Sequence, residues 1–326
     1  MDLDVVFLGT SGSTPTAQRG LPATLVRRGG ERLLFDCSEG TQRQLLRSDV
    51  GLVELEEIFL SHYHADHYLG LPGLLKTYSL RGRELPLTVY GPRGLLDLLA
   101  TLRRVFGRLE YPFDAVEVEP GDRFERGDSR LDVFAVDHGV SAVGYALVES
   151  PRPGRFDVDA ATALGVPDGP ERGALQRGEA VTLAGGTMVA PEQVLGPPRA
   201  GRTIVLAGDT APAASVVEAA SGADLLVHEA TFLADEHERA KETLHSTAGG
   251  AALVAREAGV RMLALTHVST RYFGHQVVEE ARELFPDTVV PRDFDVVEVP
   301  FPERGPPRLV RAGARSERAR VGSTET

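Results

Sequence analysis

The segment Ile58-Phe-Leu-Ser-His62-Tyr-His64-Ala-Asp66-His67 runs an apolar strand directly into four metal-ligating side chains within six residues. Few folds accept this, because the four groups must leave the sheet together at one strand end. In an extended strand end His62 and His64 point to the same side. Asp66 and His67 then fall on the turn into the next helix and face the same point from another direction. Histidine is 9 of 326 residues, so three in one short turn reads as a metal-binding cluster and not as ordinary polar surface. The single cysteine, Cys37, rules out an intrachain disulfide and a cysteine zinc cluster, which leaves imidazoles and carboxylates as donors. Cys37 itself reads as a small buried residue.

Other polar residues recur at strand ends, where open α/β sheets place their ligands. His138 follows Asp132-Val-Phe-Ala-Val, Asp209 follows Thr203-Ile-Val-Leu-Ala-Gly, His228 and Glu229 follow Asp224-Leu-Leu-Val, and His267 follows Met262-Leu-Ala-Leu-Thr. Five His and two Asp exceed the four groups that one zinc takes, so the count points to two metals. Zinc is favoured, with iron or manganese also compatible with these donors. A metal pair that clamps a phosphate implies hydrolytic chemistry. Gly9-Thr-Ser-Gly12-Ser lacks the lysine and spacing of a phosphate-binding loop and reads as a turn beside the site.

Residues 1–148 alternate short β-branched runs with helical patterns, and the same texture resumes from 203 to 300, which predicts a layered α/β domain. Between them, residues 149–202 are rich in Pro and Gly and read as an inserted arm outside the core. Residues 301–326 are rich in Arg, Pro and Gly and predict a basic, mobile, disordered tail.

The His-x-His-x-Asp-His run, with His138, Asp209 and His267, resembles the metallo-β-lactamase superfamily. More narrowly, the chain resembles the ribonuclease Z family of tRNA 3′-processing endoribonucleases. That likeness rests on Leu34-Phe-Asp-Cys-Ser-Glu-Gly-Thr-Gln-Arg-Gln44, Ser61 to Gly70, Gly208-Asp-Thr210, His228-Glu-Ala-Thr231, His245-Ser-Thr247 and the place of the insertion. It departs in two places: Ser38 replaces a usual glycine, and Pro15-Thr-Ala17-Gln-Arg19-Gly20 replaces the Pro-x-Lys-x-Arg-Asn loop linked in bacterial relatives to sensing the CCA end.

The resemblance implies an αββα sandwich with an inserted flexible arm. It implies two Zn2+ per subunit, with Mn2+ or Fe2+ as alternatives: His62, His64 and His138 on one ion, Asp66, His67 and His267 on the other, and Asp209 bridging. Asp66 then also orients or deprotonates the attacking water. His245 is the implied general acid with Glu229 beside it, since a carboxylate next to an imidazole favours the protonated form. His228 becomes a residue that supports the ligands or packs behind them, and His237 and His275 are expected in solvent. The arm is implied to clamp precursor tRNA across a homodimer, with Arg155, Arg172 and Arg177 as candidate phosphate contacts and Arg152, Arg199 and Arg202 nearby. The implied reaction removes the 3′ trailer after the discriminator nucleotide and leaves a 3′-hydroxyl on the tRNA. The alternatives are a phosphodiesterase acting on small phosphodiesters, a thioester or lactam hydrolase, and a non-catalytic tRNA binder.

The net charge of −12 repels polyanions overall, so any nucleic-acid site must be locally basic. The start Met-Asp-Leu-Asp lacks the positive charge of a signal peptide, and no apolar run nears the roughly 18 residues of a membrane span. A cytoplasmic protein without membrane contact is therefore expected.

Overall fold

Alternation of side chains along the strands builds the core, because odd and even residues of one strand must each find an apolar partner. In Leu3–Gly9, Val5 and Phe7 turn toward the centre of the fold, while Val6 and Leu8 turn to the other face. Ile204 and Leu206 likewise face inward and Val205 outward. Both faces of both sheets are thus apolar, and each sheet needs cover on two sides. The computed structural model describes residues 1–52 and 55–313.

Contacts divide the chain into two compact units, residues 1–148 with those from 203 onward, and residues 149–202. In the first unit one sheet has eight strands in the order Arg308–Val310, Val296–Glu298, Leu3–Gly9, Ala23–Arg28, Glu31–Phe35, Glu57–Phe59, Leu87–Pro92 and Phe113–Val118. The other has seven, in the order Thr288–Val289, Leu263–Thr266, Leu225–Glu229, Thr203–Leu206, Val143–Glu149, Ser129–Ala135 and Arg123–Arg126. The inner faces share a core that includes Phe7, Phe35, Phe59 and Tyr145. Helices Thr41–Arg47, Leu71–Leu80 and Leu95–Phe106 cover the first sheet, and Ala214–Ala219, Ala248–Ala258 and Gly274–Leu284 cover the second. This layering is the αββα sandwich. Leu263–Thr266, Leu225–Glu229 and Thr203–Leu206 run parallel, so their carboxyl ends open on one edge.

Two expectations are corrected. Arg308–Val310 pairs antiparallel with Val296–Glu298, so the described part of the 301–326 tail is tied to the sheet and not mobile; residues 314–326 lie outside the described residues. The run of Arg, Pro and Gly hid a strand because one short apolar pair, Leu309-Val310, suffices on an edge. The unit 149–202, read as an inserted arm outside the core with only short apolar pieces, gathers those pieces into a small core of its own. Ala161, Val166, Leu175, Val189 and Val194 are buried together by helices Val158–Ala163 and Pro170–Gln176 and by a hairpin of Val181–Thr182 with Met188–Val189. Proline at the first position of the second helix starts it instead of breaking it.

That unit is closed by its first and last residues. Arg202 donates from Nε and Nη2 to the two carboxylate oxygens of Glu149, both at 2.7 Å, with both side chains buried. Removing one partner leaves a buried charge uncompensated, at a cost of about 3–5 kcal/mol. Glu149→Gln is therefore expected to loosen the 149–202 unit first, seen as faster amide exchange there than in residues 203–300. Equal exchange in the variant and the parent counts against this role.

Candidate metal centre

Every sequence-predicted ligand sits at or just past a strand end. His62 and His64 follow Glu57–Phe59, and His67 is in the short helix Ala65–Tyr68 with Asp66. His138 follows Ser129–Ala135, Asp209 follows Thr203–Leu206 and His267 follows Leu263–Thr266. The seven come together around Asp209. Its Oδ2 lies 3.3 Å from His67 Nε2, 3.2 Å from His267 Nε2 and 3.9 Å from His62 Nε2. On one side His64 Nδ1 is 3.0 Å from His62 Nε2 and 3.2 Å from His138 Nε2. On the other, Asp66 Oδ2 is 3.7 Å from His67 Nε2 and 3.4 Å from His267 Nε2. Two triads result, His62/His64/His138 and Asp66/His67/His267, each with its donor atoms within 4.8 Å of one another.

These residues fit a pair of divalent ions. His67 Nε2 is buried and has no hydrogen-bond partner, although it faces Asp209 Oδ2. A buried nitrogen left so beside a carboxylate is what a metal ligand looks like without its metal. Burial, together with the neighbouring His67, pushes His62 down to about 2, so it offers a neutral nitrogen. Burial opposes ionisation of Asp209, yet His267 and His67 outweigh it and hold the carboxyl well below its usual range.

In four of the five imidazoles the second nitrogen is also engaged, and this selects the tautomer, while His64 turns Nδ1 inward. His67 Nδ1 donates to Asp36 Oδ2 at 2.8 Å. Ser61 Oγ donates to the same carboxylate at 3.0 Å and so accepts from His62 Nδ1, also at 3.0 Å. Thr231 Oγ1 donates to Glu229 Oε2 at 2.6 Å and accepts from His267 Nδ1 at 2.8 Å. His138 Nδ1 donates to the Leu244 carbonyl at 3.1 Å. Each leaves Nε2 for the centre. Asp36 and Thr231 thus belong to the site, although sequence reasoning assigned them no role. The strand-end rule that found the ligands also covers Asp36, which directly follows Glu31–Phe35.

His245 Nδ1 donates to Glu229 Oε1 at 2.7 Å and lies 3.9 Å from Asp209 Oδ2. Glu229 is buried and also accepts from the backbone N–H groups of Thr210, Thr231 and Ser246. Against burial, which lowers it, Glu229 raises His245 to about 9. His228 is buried with Nδ1 on the Glu229 carbonyl, whereas His237 and His275 are exposed. Among the arm arginines, Arg155 and Arg177 are exposed. Arg172 is spent inside its own unit on Asp168, the Val166 carbonyl and Thr162, and Arg202 is buried on Glu149.

Four non-glycine residues with positive φ border this site: Ser13, Asp36, Leu244 and His267. Asp and His tolerate that region better than leucine does. Leu244, at φ 54°, ends the helix His237–Thr243, immediately precedes His245 and binds His138 through its carbonyl. Gly12 meets a tighter limit, since a Cβ there would lie 2.4 Å from His267 Nδ1.

Comparison with known proteins agrees with this geometry. The sequence profile described as the Metallo-beta-lactamase superfamily matches residues 20–152. Ribonuclease Z of Methanosarcina acetivorans is 45% identical over 302 residues, covering 92% of this chain and 99% of that protein. The chain belongs to the ribonuclease Z family. Ribonuclease Z of Myxococcus xanthus is similarly close, 47% identical over 303 residues, 92% of this chain and 98% of the relative. Among solved structures, the short form of human tRNase Z superposes with a TM-score of 0.66 at 27% identity, covering 91% of this chain and 99% of that one. A metallo-β-lactamase-fold protein from Bacillus subtilis reaches a TM-score of 0.67 at 21% identity, covering 91% and 100%, and supports the fold. As a member of that family, the chain is a metal-dependent phosphodiester hydrolase, an endoribonuclease. No helix among the described residues is long and apolar enough to cross a membrane.

Asp36→Asn keeps the side-chain shape but cannot accept from all three of its present donors. Metal affinity, read by competition with a coloured chelator, should weaken roughly 10–100-fold; parent-like affinity would remove Asp36 from the site. Leu244→Gly relieves the left-handed backbone, so its melting temperature should match or exceed the parent's. Its kcat should nevertheless fall, because a freer backbone at 244 holds the carbonyl that orients His138, and the adjoining His245, less firmly, and an unchanged kcat argues that the strain has no bearing on the reaction.

Proposed function

We propose that the protein removes the 3′ trailer from precursor tRNA by a single cut after the discriminator nucleotide, leaving a 3′-hydroxyl on the tRNA. The observation that carries this is Asp209 Oδ2 lying between two ligand triads, with His245 beside them on the buried Glu229. His62, His64 and His138 would hold one zinc and Asp66, His67 and His267 the other, with Asp209 shared; Mn2+ or Fe2+ suits the same donors. When bound, the two ions polarise the scissile phosphate and offset its developing negative charge.

The chain's own residues do the rest. Asp66, whose Oδ2 accepts from the Ser13 N–H at 2.8 Å, is held to orient the attacking water and take its proton. As the new P–O bond forms, the bond from phosphorus to the ribose 3′-oxygen breaks, and the trailer keeps the phosphate. His245, its Nδ1 fixed on Glu229, hands a proton to that departing oxygen from Nε2. The unit 149–202 grips the tRNA, with the exposed Arg155 and Arg177 as phosphate contacts and Arg172 as internal support. We assign the protein to the cytoplasm as a homodimer, as its family resemblance implies.

The test is a precursor tRNA with a 3′ trailer, incubated with zinc-loaded protein and mapped at nucleotide resolution. One cut after the discriminator is expected, and it should disappear with Asp209→Ala. His245→Ala should lower kcat roughly 10²–10⁴-fold with both metals retained. Loss of metal in His245→Ala would reassign it as a ligand, and hydrolysis of small phosphodiesters without tRNA cleavage would overturn the substrate.

A further inference from the structure

Away from the metal centre the first unit carries a groove of about 440 Å³ that the reading above does not use. Its walls include Arg19, Arg282, Arg292 and Arg311, and no carboxylate is among the lining residues. In a protein of net charge −12 this concentration of guanidinium is out of keeping with the rest of the surface. Three of the four are held in place from behind. Arg311 Nη1 pairs with the buried Asp295 at 2.5 Å, and Arg19 Nη1 donates to Thr10 Oγ1 at 2.6 Å and to the Pro291 carbonyl at 3.0 Å. Arg282 donates from Nε to the Thr288 carbonyl at 2.9 Å, and Arg292 is exposed.

The groove also carries an aromatic surface. Phe273 is 71% exposed, unusual for a large apolar ring, and lies nearly parallel to the exposed His275, with centroids 5.8 Å apart and planes at 17°. Between them Gly274 leaves room for Arg19, since a Cβ at 274 would stand 3.0 Å from Arg19 Nη2. A flat exposed ring beside a cluster of fixed guanidinium groups matches a ligand with one planar face and one strongly anionic end. Its size suits one such unit.

We propose that this groove binds a nucleoside phosphate, its base stacked on Phe273 and its phosphate held by Arg19, Arg292 and Arg311. The same chemistry is offered by a free nucleotide and by one nucleotide of a bound RNA strand. The groove connects to the metal centre through the chain itself: His267 is six residues before Phe273, and Arg19 reaches Thr10, two residues from the Gly12 that abuts His267.

Calorimetric titration of the zinc-loaded full chain with adenosine 5′-monophosphate tests the proposal. Phe273→Ala and Arg292→Glu, both at exposed positions, should each weaken binding roughly tenfold or more. Hydrolysis of bis(p-nitrophenyl) phosphate should stay at the parent's rate, which shows the metal centre intact and separates any nucleotide held there. Adenosine alone and inorganic phosphate alone should bind more weakly than the monophosphate. Absence of binding, or binding that both variants leave unchanged, overturns the site. The source is then read with precursor tRNA, an arm that rests on the tRNA-processing reading while the binding arm does not. If the monophosphate raises the parent's KM for precursor tRNA but not that of the variants, the groove takes a nucleotide of the RNA strand. Tight binding with no effect on that KM assigns it to a free nucleotide.

Discussion

A buried carboxylate oxygen, Asp209 Oδ2, sets the terms for the rest of the molecule. An ionised group withdrawn from water is tolerated only where opposite charge is close and well placed. Here three imidazole Nε2 atoms stand within 3.9 Å of it, His62 and His67 from the segment after Glu57–Phe59 and His267 from the end of Leu263–Thr266. Without metal, that compensation falls on the imidazoles. Against burial, which lowers it, Asp209 and Asp36 raise His67 well above the usual imidazole range. Metal binding to such a centre is an exchange of protons for cations around a carboxylate that stays ionised throughout.

The demand passes outward through hydrogen bonds. An imidazole can offer Nε2 inward only if Nδ1–H has an acceptor, and the acceptors come from Asp36, Ser61, Thr231 and the Leu244 carbonyl. Glu229 serves both His267, through Thr231, and His245 directly. The groups that aim the proposed metal ligand and the proposed proton donor thus share one buried carboxylate. Backbone strain is borne at the same place, at Leu244 and His267, where surrounding contacts hold the left-handed conformation.

Charge is arranged by the same economy. The chain is acidic overall, yet arginines are gathered and braced in the groove at Phe273 and are exposed at Arg155 and, paired with Glu179, at Arg177. Others that looked available are structural, since Arg202 and Arg172 tie the 149–202 unit to itself. An arginine count therefore overstates the surface open to a polyanion, because each guanidinium that satisfies a carbonyl or a carboxylate has fewer donors left for phosphate.

How much was legible from the chain follows from what a one-dimensional pattern can encode. Period-two alternation in Leu3–Gly9 and Thr203–Leu206, and polar residues where such runs stop, already point to a layered α/β fold and to the seven candidate ligands that the structure gathers, while the αββα sandwich was implied by the family resemblance. The pattern could not show which nitrogen each histidine turns inward, nor that Asp36 and Thr231 hold two of them. Those are relations between residues tens to hundreds of positions apart, decided by distance and angle. It missed the strand Arg308–Val310 and the small core around Leu175 for a related reason: short elements rely on what they pack against and carry little periodicity of their own. Identity and order along the chain determined which atoms could bind a metal. Only folding decided which of them face one another, because a hydrogen bond or an ion pair exists at a few ångströms and nowhere in the sequence.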